Sequence, residues 1–254
     1  MTKVEKDNPA LRIRRVIFDW KQIDRWSYVR QIKALKKVNE LVFHKNITFF
    51  VGENGSGKST LLEAIAVAYG FNPEGGTRNY HFSTYDSHSE LCDAIQLVNG
   101  FGNGYGYFLR AESFYNVATA EEEYVDDKHP SLRYHTYSHG ESFLTLAQRY
   151  FSSTGVFILD EPEAALSPQR QMTLLLEISR CAKAGAQFII VTHSPILMSI
   201  PNAEIWTFDD GQIHACAYEE TGSYQVTEMF LNHREQILNR LLSDDSLKNK
   251  KREE

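Results

Sequence analysis

The run Ile47-Thr48-Phe49-Phe50-Val51, followed by Gly52-Glu53-Asn54-Gly55-Ser56-Gly57-Lys58-Ser59-Thr60 and then by Leu61-Leu62-Glu63-Ala64-Ile65-Ala66-Val67-Ala68-Tyr69-Gly70, changes periodicity twice. The β-branched and aromatic residues up to Val51 predict a strand that ends at glycine. After Gly57, residues Leu61, Leu62, Ile65, Ala66 and Tyr69 share one helical face, which stops at Gly70. The order is strand, glycine-rich turn, helix. In that context Gly52–Ser59 fits G-x-x-x-x-G-K-[ST], a pattern with a mechanical meaning. Its glycines let backbone N–H groups point inward, the helix N-terminus adds partial positive charge, and Lys58 adds a full one, so convergent donors hold a polyphosphate. Ser59 offers its hydroxyl to Mg²⁺, with Thr60 next to it in the same binding run. By itself this cradle does not separate a kinase from an ATPase or a GTPase.

Working outward, residues 11–18 alternate apolar with basic and predict a strand, and an uncertain connector leads to the cradle. Residues 71–137 change character. They are rich in Gly, Asn, Tyr and His, carry a Gly-Asn-Gly turn at 102–104 between two strand-like segments and an acidic patch at 120–127, and read as a surface insertion. From Ser138 regular patterning returns, with a helix over 143–151, a buried strand Val156–Leu159, a helix from Pro168 to about Gly185 and a second buried strand Phe188–Val191. Residues 204–208 and 212–217 flank Asp209-Asp210-Gly211 as a hairpin, and 224–242 close the chain with one or two helices. Alternating strands and helices predict an α/β fold: a mainly parallel sheet with flanking helices, plus an N-terminal antiparallel β portion. The expected organisation is one domain over 1–254, with 71–137 as insertion and lobe and 243–254 as a disordered tail.

At the end of Val156–Leu159 stand Asp160 and Glu161, at the carboxyl end of a strand, where ligands bind in open α/β sheets. One carboxylate, assigned to Asp160, can hold the metal, and the next, Glu161, can orient and polarise an attacking water. A strand ending in a charged turn is the plainer explanation for an isolated pair, and the cradle upstream weighs against it. Thr192-His193-Ser194-Pro195 follows the other buried strand. Ser194 and Pro195 suit an N-cap and N1, while His193 can donate to a terminal phosphate or to the water. A lone His at a strand end is more often structural.

Composition bounds the partners. The chain has 254 residues, 42% hydrophobic and 24% charged, and a formal net charge of −6, so it is neither fibrous nor strongly basic. Binding nucleic acid through phosphates usually needs a basic surplus, which disfavours strong unassisted binding without forbidding it. No stretch approaches the about 18 apolar residues of a membrane span, and Met1–Val16 is too charged for a signal peptide, so a cytoplasmic location is expected. Cys92, Cys181 and Cys216 are odd in number and far apart, and read as reduced thiols.

Tyr137-Ser138-His139-Gly140-Glu141-Ser142 precedes the helix at 143–151, so Ser138 and Gly140 can present a hydroxyl and backbone N–H groups at a helix N-terminus. Ser138 as N-cap with Glu141 as the far member of a capping box explains the same residues. With the cradle, Leu159-Asp160-Glu161-Pro162 and His193, this string resembles the ABC-type ATPase family, whose motifs occur in this order. The chain is most similar to small stand-alone ATPases carrying SHGES, LDEPEAALSPQRQ and THSPIL, over about 12–242, and more distantly to chromosome-maintenance and recombination ATPase heads.

The resemblance implies ATP and Mg²⁺ as cofactors, and a homodimer that forms on ATP binding, in which Ser138 and Gly140 reach nucleotide on the other chain. It implies hydrolysis driven by Glu161 and His193, and a protein or nucleic-acid partner whose identity stays open. His139 and Glu141 depart from the transporter signature Leu-Ser-Gly-Gly-Gln, and Ser167 stands where transporters often carry Asp. Glu112 is the stand-in for the missing Gln as a metal-side or water contact, a surface salt bridge being the alternative. Phe18, Trp20, Trp26 and Tyr28 all remain open as the adenine-stacking aromatic. Too few positions separate Lys58 from Ser138 for long coiled-coil arms. The rival readings are a transporter energy subunit, a non-hydrolysing nucleotide sensor, and a kinase, whose arginine-bearing lid would have to use Arg78 or Arg133.

Overall fold

A computed structural model describes residues 8–78, 89–100, 104–110 and 139–250, with His139, Gly140 and 244–250 described by backbone alone. The elements run β1 (Ile13–Phe18), β2 (Glu40–Val42), β3 (Ile47–Val51), α1 (Lys58–Tyr69), α2 (Leu91–Ala94), β4 (Ile95–Asn99), β5 (Gly106–Arg110), α3 (His139–Tyr150), β6 (Val156–Asp160), α4 (Pro168–Lys183), β7 (Gln187–Val191), α5 (Pro195–Met198), β8 (Glu204–Thr207), β9 (His214–Ala215), α6 (Gly222–Asn232) and α7 (Arg234–Lys250).

Among the described residues a six-stranded sheet runs β5-β6-β7-β3-β8-β9 and a three-stranded one β2-β1-β4. The first five strands of the large sheet are parallel, β9 returns antiparallel on β8, and the small sheet is antiparallel throughout. Every residue of β3, β6 and β7 is buried, as parallel strands covered on both faces require. Alternate side chains feed two cores. Phe50, Ile158, Ile189 and Val191 pack with α1 and the small sheet, whereas Phe49, Phe157, Leu159, Phe188 and Ile190 pack with α3 and α4.

β1 departs from simple alternation. Its pairing with β4 slips between Ile13 and Arg15, and this bulge changes parity, so Val16 and Phe18 turn inward while Ile17 stays 39% exposed. Gln187 opens β7 with a fully buried amide that ties the two sheets together. Its Oε1 accepts from the N–H groups of Arg12 (3.1 Å) and Ile13 (2.9 Å), and its Nε2 donates to the Ile13 carbonyl (2.8 Å).

Within 71–137, β4 joins the small sheet and β5 forms an edge of the large one, with Tyr107, Phe108 and Leu109 buried. The strand-like segments on either side of 102–104 therefore separate into different sheets, and β4 and β5 belong to the sheet framework, not to a surface insertion. The 120–127 acidic patch lies outside the described residues. At the far end α7 keeps helical backbone to Lys250, past residue 243 where a disordered tail is expected from the sequence, and no Gly or Pro after Arg234 would stop it. None of the helices among the described residues is long and apolar enough to cross a membrane.

Candidate functional site

The turn between β3 and α1 carries the cradle. Gly57 sits at φ +100°, in the left-handed region, and a Cβ there would lie 2.5 Å from Ile32 Cγ2. Only glycine allows this close approach of the turn to the connector. Lys58 folds back over the loop and its Nζ donates to the carbonyls of Gly52 (2.8 Å) and Glu53 (2.7 Å). It is 4% exposed, and burial lowers its pKa below the ordinary lysine value against the opposing pull of Glu161, Asp209, Asp160 and Glu53. Its own loop carbonyls thus hold the ammonium where a phosphate could take it over.

The large sheet brings the downstream candidates to the same end. Ser59 Oγ donates to Asp160 Oδ1 at 3.0 Å. Glu161 adopts φ 49°, ψ 52°, a left-handed conformation unusual for a side-chain-bearing residue, and its N–H donates to the Val191 carbonyl at 3.0 Å. Such strain costs of order 1–3 kcal/mol and concentrates at functional sites. His193 Nε2 lies 3.8 Å from Glu161 Oε1, beyond hydrogen-bond reach. That nitrogen and the Ser56 hydroxyl are buried and make no hydrogen bond among the described residues.

Three further side chains support this constellation, and their local sequence gave no signal. Glu163 accepts from the Thr192 hydroxyl (2.7 Å) and from the His193 N–H, which stitches the turn after β6 to the turn after β7. Asp209, which reads as a hairpin residue, accepts from the Glu53 N–H (3.0 Å) and the Thr207 hydroxyl (3.0 Å), and so ties β8 to the cradle. Arg110, last residue of β5, pairs with Glu63 (2.7 Å) and approaches Asp160 (3.6 Å). Parallel register alone sets Arg110 beside Asp160. The two cap assignments hold, Ser167 accepting from the Arg170 N–H and Ser194 from the Leu197 N–H.

A cavity of about 990 Å³ opens beside the cradle, between Tyr28 to Ala34, residues 208–211 and the start of α6. Of the open aromatics, Phe18 and Trp20 stack on each other, and Trp20 donates its indole N–H to the Val38 carbonyl, so both are committed to the core. Trp26 is 83% exposed, and Tyr28 is the aromatic of the four that lines the cavity. Gly140 lies in the first turn of α3, where Glu141 pairs with Arg170 of α4 at 3.1 Å. Ser138 and Glu112 lie outside the described residues.

The donors fit a hard cation. A hydroxyl and a carboxylate 3.0 Å apart suit Mg²⁺, which is bound through one or two protein oxygens plus phosphates and water. Among the described residues no cluster of His, Cys, Asp and Glu could hold a metal unaided.

Known proteins agree in kind. The family described as "AAA domain, putative AbiEii toxin, Type IV TA system" matches residues 123–199, and a second, "AAA domain", matches 28–128. The galactose/methyl galactoside import ATP-binding protein MglA 2 of Photobacterium profundum is 27% identical over 64% of this chain and 36% of its own length. MglA of Escherichia coli is 25% identical over 71% of this chain and 40% of its own. The chain therefore spans well under half the length of these curated relatives. The SMC head domain from Thermotoga maritima is similar over 81% of this chain and 98% of its own, at 16% identity and a TM-score of 0.43. In sequence the chain is thus similar, over parts of its length, to ATP-binding domains of the ABC and AAA kinds.

Proposed function

We propose that this domain is a Mg²⁺-dependent ATPase that dimerises head to tail on ATP, and whose nucleotide state is read by a protein or nucleic-acid partner. The observation that carries the reading is convergence: Lys58, Ser59, Asp160, Glu161 and His193 come from three separate strand ends, with Ser59 3.0 Å from Asp160 and Glu161 3.8 Å from His193, while His193 and residues Gly52 to Ser56 line one cavity. In this reading residues Gly52–Thr60 cradle the phosphates, and Lys58 exchanges two loop carbonyls for them. Tyr28 lies against the base. Ser59 and Asp160 hold Mg²⁺, which when bound supplies positive charge to the phosphate oxygens. Glu112 is the further metal-side contact. The Glu161 carboxylate orients and accepts a proton from water, and His193 Nε2, without a hydrogen-bond partner among the described residues, donates to the terminal phosphate. Ser138 and Gly140 complete the site on a second copy, so that one chain spans a single functional unit but holds only half of each site.

The test is Glu161→Gln. Phosphate release should fall about 10²- to 10⁴-fold, the usual worth of a positioned base, while nucleotide binding persists and light scattering reports an ATP-dependent dimer. Normal turnover removes Glu161 from the base role. Ser138→Arg should keep nucleotide binding and abolish the dimer; unchanged turnover would make that segment a helix cap. The similarity to import ATP-binding proteins favours a second reading, an energy subunit of an importer. Co-purification with a multi-span membrane protein would establish it, and His139 and Glu141 in the signature weigh against it.

A further inference from the structure

Asp160 has a neighbour that the proposed chemistry does not use. Arg110 lies between two carboxylates, its Nη1 2.7 Å from Glu63 Oε2 and its Nε 3.6 Å from Asp160 Oδ2. The three side chains are 21%, 16% and 10% exposed, so their charges are largely removed from water and need one another. They come from three elements, α1, β5 and β6. Ser59 and Glu63 stand one turn apart on α1, which directs both at the strand ends: Ser59 reaches Asp160 Oδ1 and Glu63 reaches the guanidinium. Glu63 is itself anchored, its Oε1 accepting from the Ser89 N–H at 3.3 Å, and Arg110 Nη1 also donates to the Pro73 carbonyl at 3.3 Å.

The tether has a geometric consequence. A free arginine closes on a carboxylate through two parallel hydrogen bonds. Here the short contact goes to Glu63, and Asp160 receives a looser approach on the oxygen that does not face Ser59. We propose that Arg110 is a positioning residue, a built-in counter-cation that compensates and orients Asp160 before nucleotide arrives, and that Glu63 holds it back from the oxygen Asp160 shares with Ser59. The inference deepens the Mg²⁺ role of Asp160 and rests on that reading. It makes metal binding conditional: a resident positive charge beside the carboxylate disfavours a divalent cation alone, and the nucleotide phosphates supply the missing negative charge.

Two variants test it with readouts other than turnover. Wild-type protein without nucleotide should bind Mn²⁺ weakly in an electron paramagnetic resonance titration. Arg110→Met exposes two acids to the cation and should bind Mn²⁺ at least about tenfold more tightly, the scale of removing a unit charge at this distance in a partly solvated site. Arg110→Lys should return to the wild-type value. In Glu63→Gln the guanidinium is released to grip Asp160, and the Mg²⁺ concentration that half-saturates fluorescent ATP-analogue binding should rise by about threefold or more.

Equal Mn²⁺ affinity in wild type and Arg110→Met overturns the proposal, because a merely structural ion pair changes stability and leaves the metal alone. If Arg110→Met does not fold, Glu63→Gln decides, and an unshifted Mg²⁺ requirement sinks the idea. The Mn²⁺ titration needs no nucleotide. Failure of the wild type to bind ATP analogue would therefore count against the ATPase reading and leave this one to be judged separately.

Discussion

Glu163 is the perturbation whose size follows most directly from the geometry. Its carboxylate accepts from the hydroxyl of Thr192, which is fully buried, and from the His193 N–H. Glu163→Ala removes both charge-assisted bonds and leaves two donors facing an apolar stub. Each unsatisfied donor costs about 1–3 kcal/mol. Water can reach the part-buried His193 amide more easily than the Thr192 hydroxyl, so the sum should fall near about 2–4 kcal/mol. For a domain of this size 1 kcal/mol moves Tm by about 2–4 °C, which puts the drop at about 5–15 °C.

Glu163→Gln keeps one acceptor oxygen and can present its amide N–H to Thr192 Oγ1, which already accepts from the Ser194 N–H. It should cost about half as much. Because the carboxylate anchors the backbone of His193, both variants should lower phosphate release more than nucleotide affinity. Thermal melts, a phosphate-release assay and fluorescent-nucleotide titration read the three quantities. If Glu163→Ala melts within a degree or so of wild type, the bridge is solvated and the reasoning is wrong. If affinity and turnover fall in parallel, the damage is global and not confined to the His193 turn.

If Lys58 holds the phosphates, nucleotide affinity should fall with rising pH in the alkaline range. Burial holds its pKa below the ordinary 10.5, bound phosphates would raise it, and between the two values binding takes up a proton. Nucleotide-free stability should move the opposite way, rising as pH climbs through the folded pKa towards 10.5, because there the unfolded chain binds more protons. Titrations and melts across that range check both signs. Gly57→Ala should cost both stability and nucleotide binding, since it combines positive φ with a methyl 2.5 Å from Ile32, whereas Gly55→Ala meets nothing within 4 Å and should cost only the backbone strain of about 1–2 kcal/mol. Comparable melts for the two variants would refute the close-packing account. Among the thiols Cys92 is pushed up to about 12, by burial first and then by Glu63 and Asp93, and should resist alkylation in the folded protein. Cys216, the part-exposed one, should label first, and mass spectrometry of partially modified protein reads the order.

The strands β3, β6 and β7 were legible because burial on both faces turns a parallel strand into an unbroken apolar run. The cradle was legible because glycine and lysine at fixed spacing serve a backbone geometry completed within a few residues. Caps at Ser167 and Ser194 belong to the same local class. Other features stayed silent. Gln187 looks like a polar residue in front of a strand, Glu163 like part of a charged turn, Asp209 like a hairpin tip, and Arg110 like the end of an edge strand. Each acts through a partner far away in sequence. The four aromatics of the N-terminal region were equivalent on paper, and packing alone sent Phe18 and Trp20 to the core and Tyr28 to the cavity wall.

Sequence by itself therefore determined the α/β order, the glycine-rich turn between β3 and α1 and the acids and histidine that follow buried strands, since periodicity, capping and turn chemistry act over a few residues. Tertiary structure decided what holds those groups in place: the Glu63–Arg110–Asp160 triad, the Glu163 bridge and the Asp209 tie to the cradle. Those contacts depend on strand order and register, and a charged side chain carries no local mark of which distant charge will neutralise it once water is excluded.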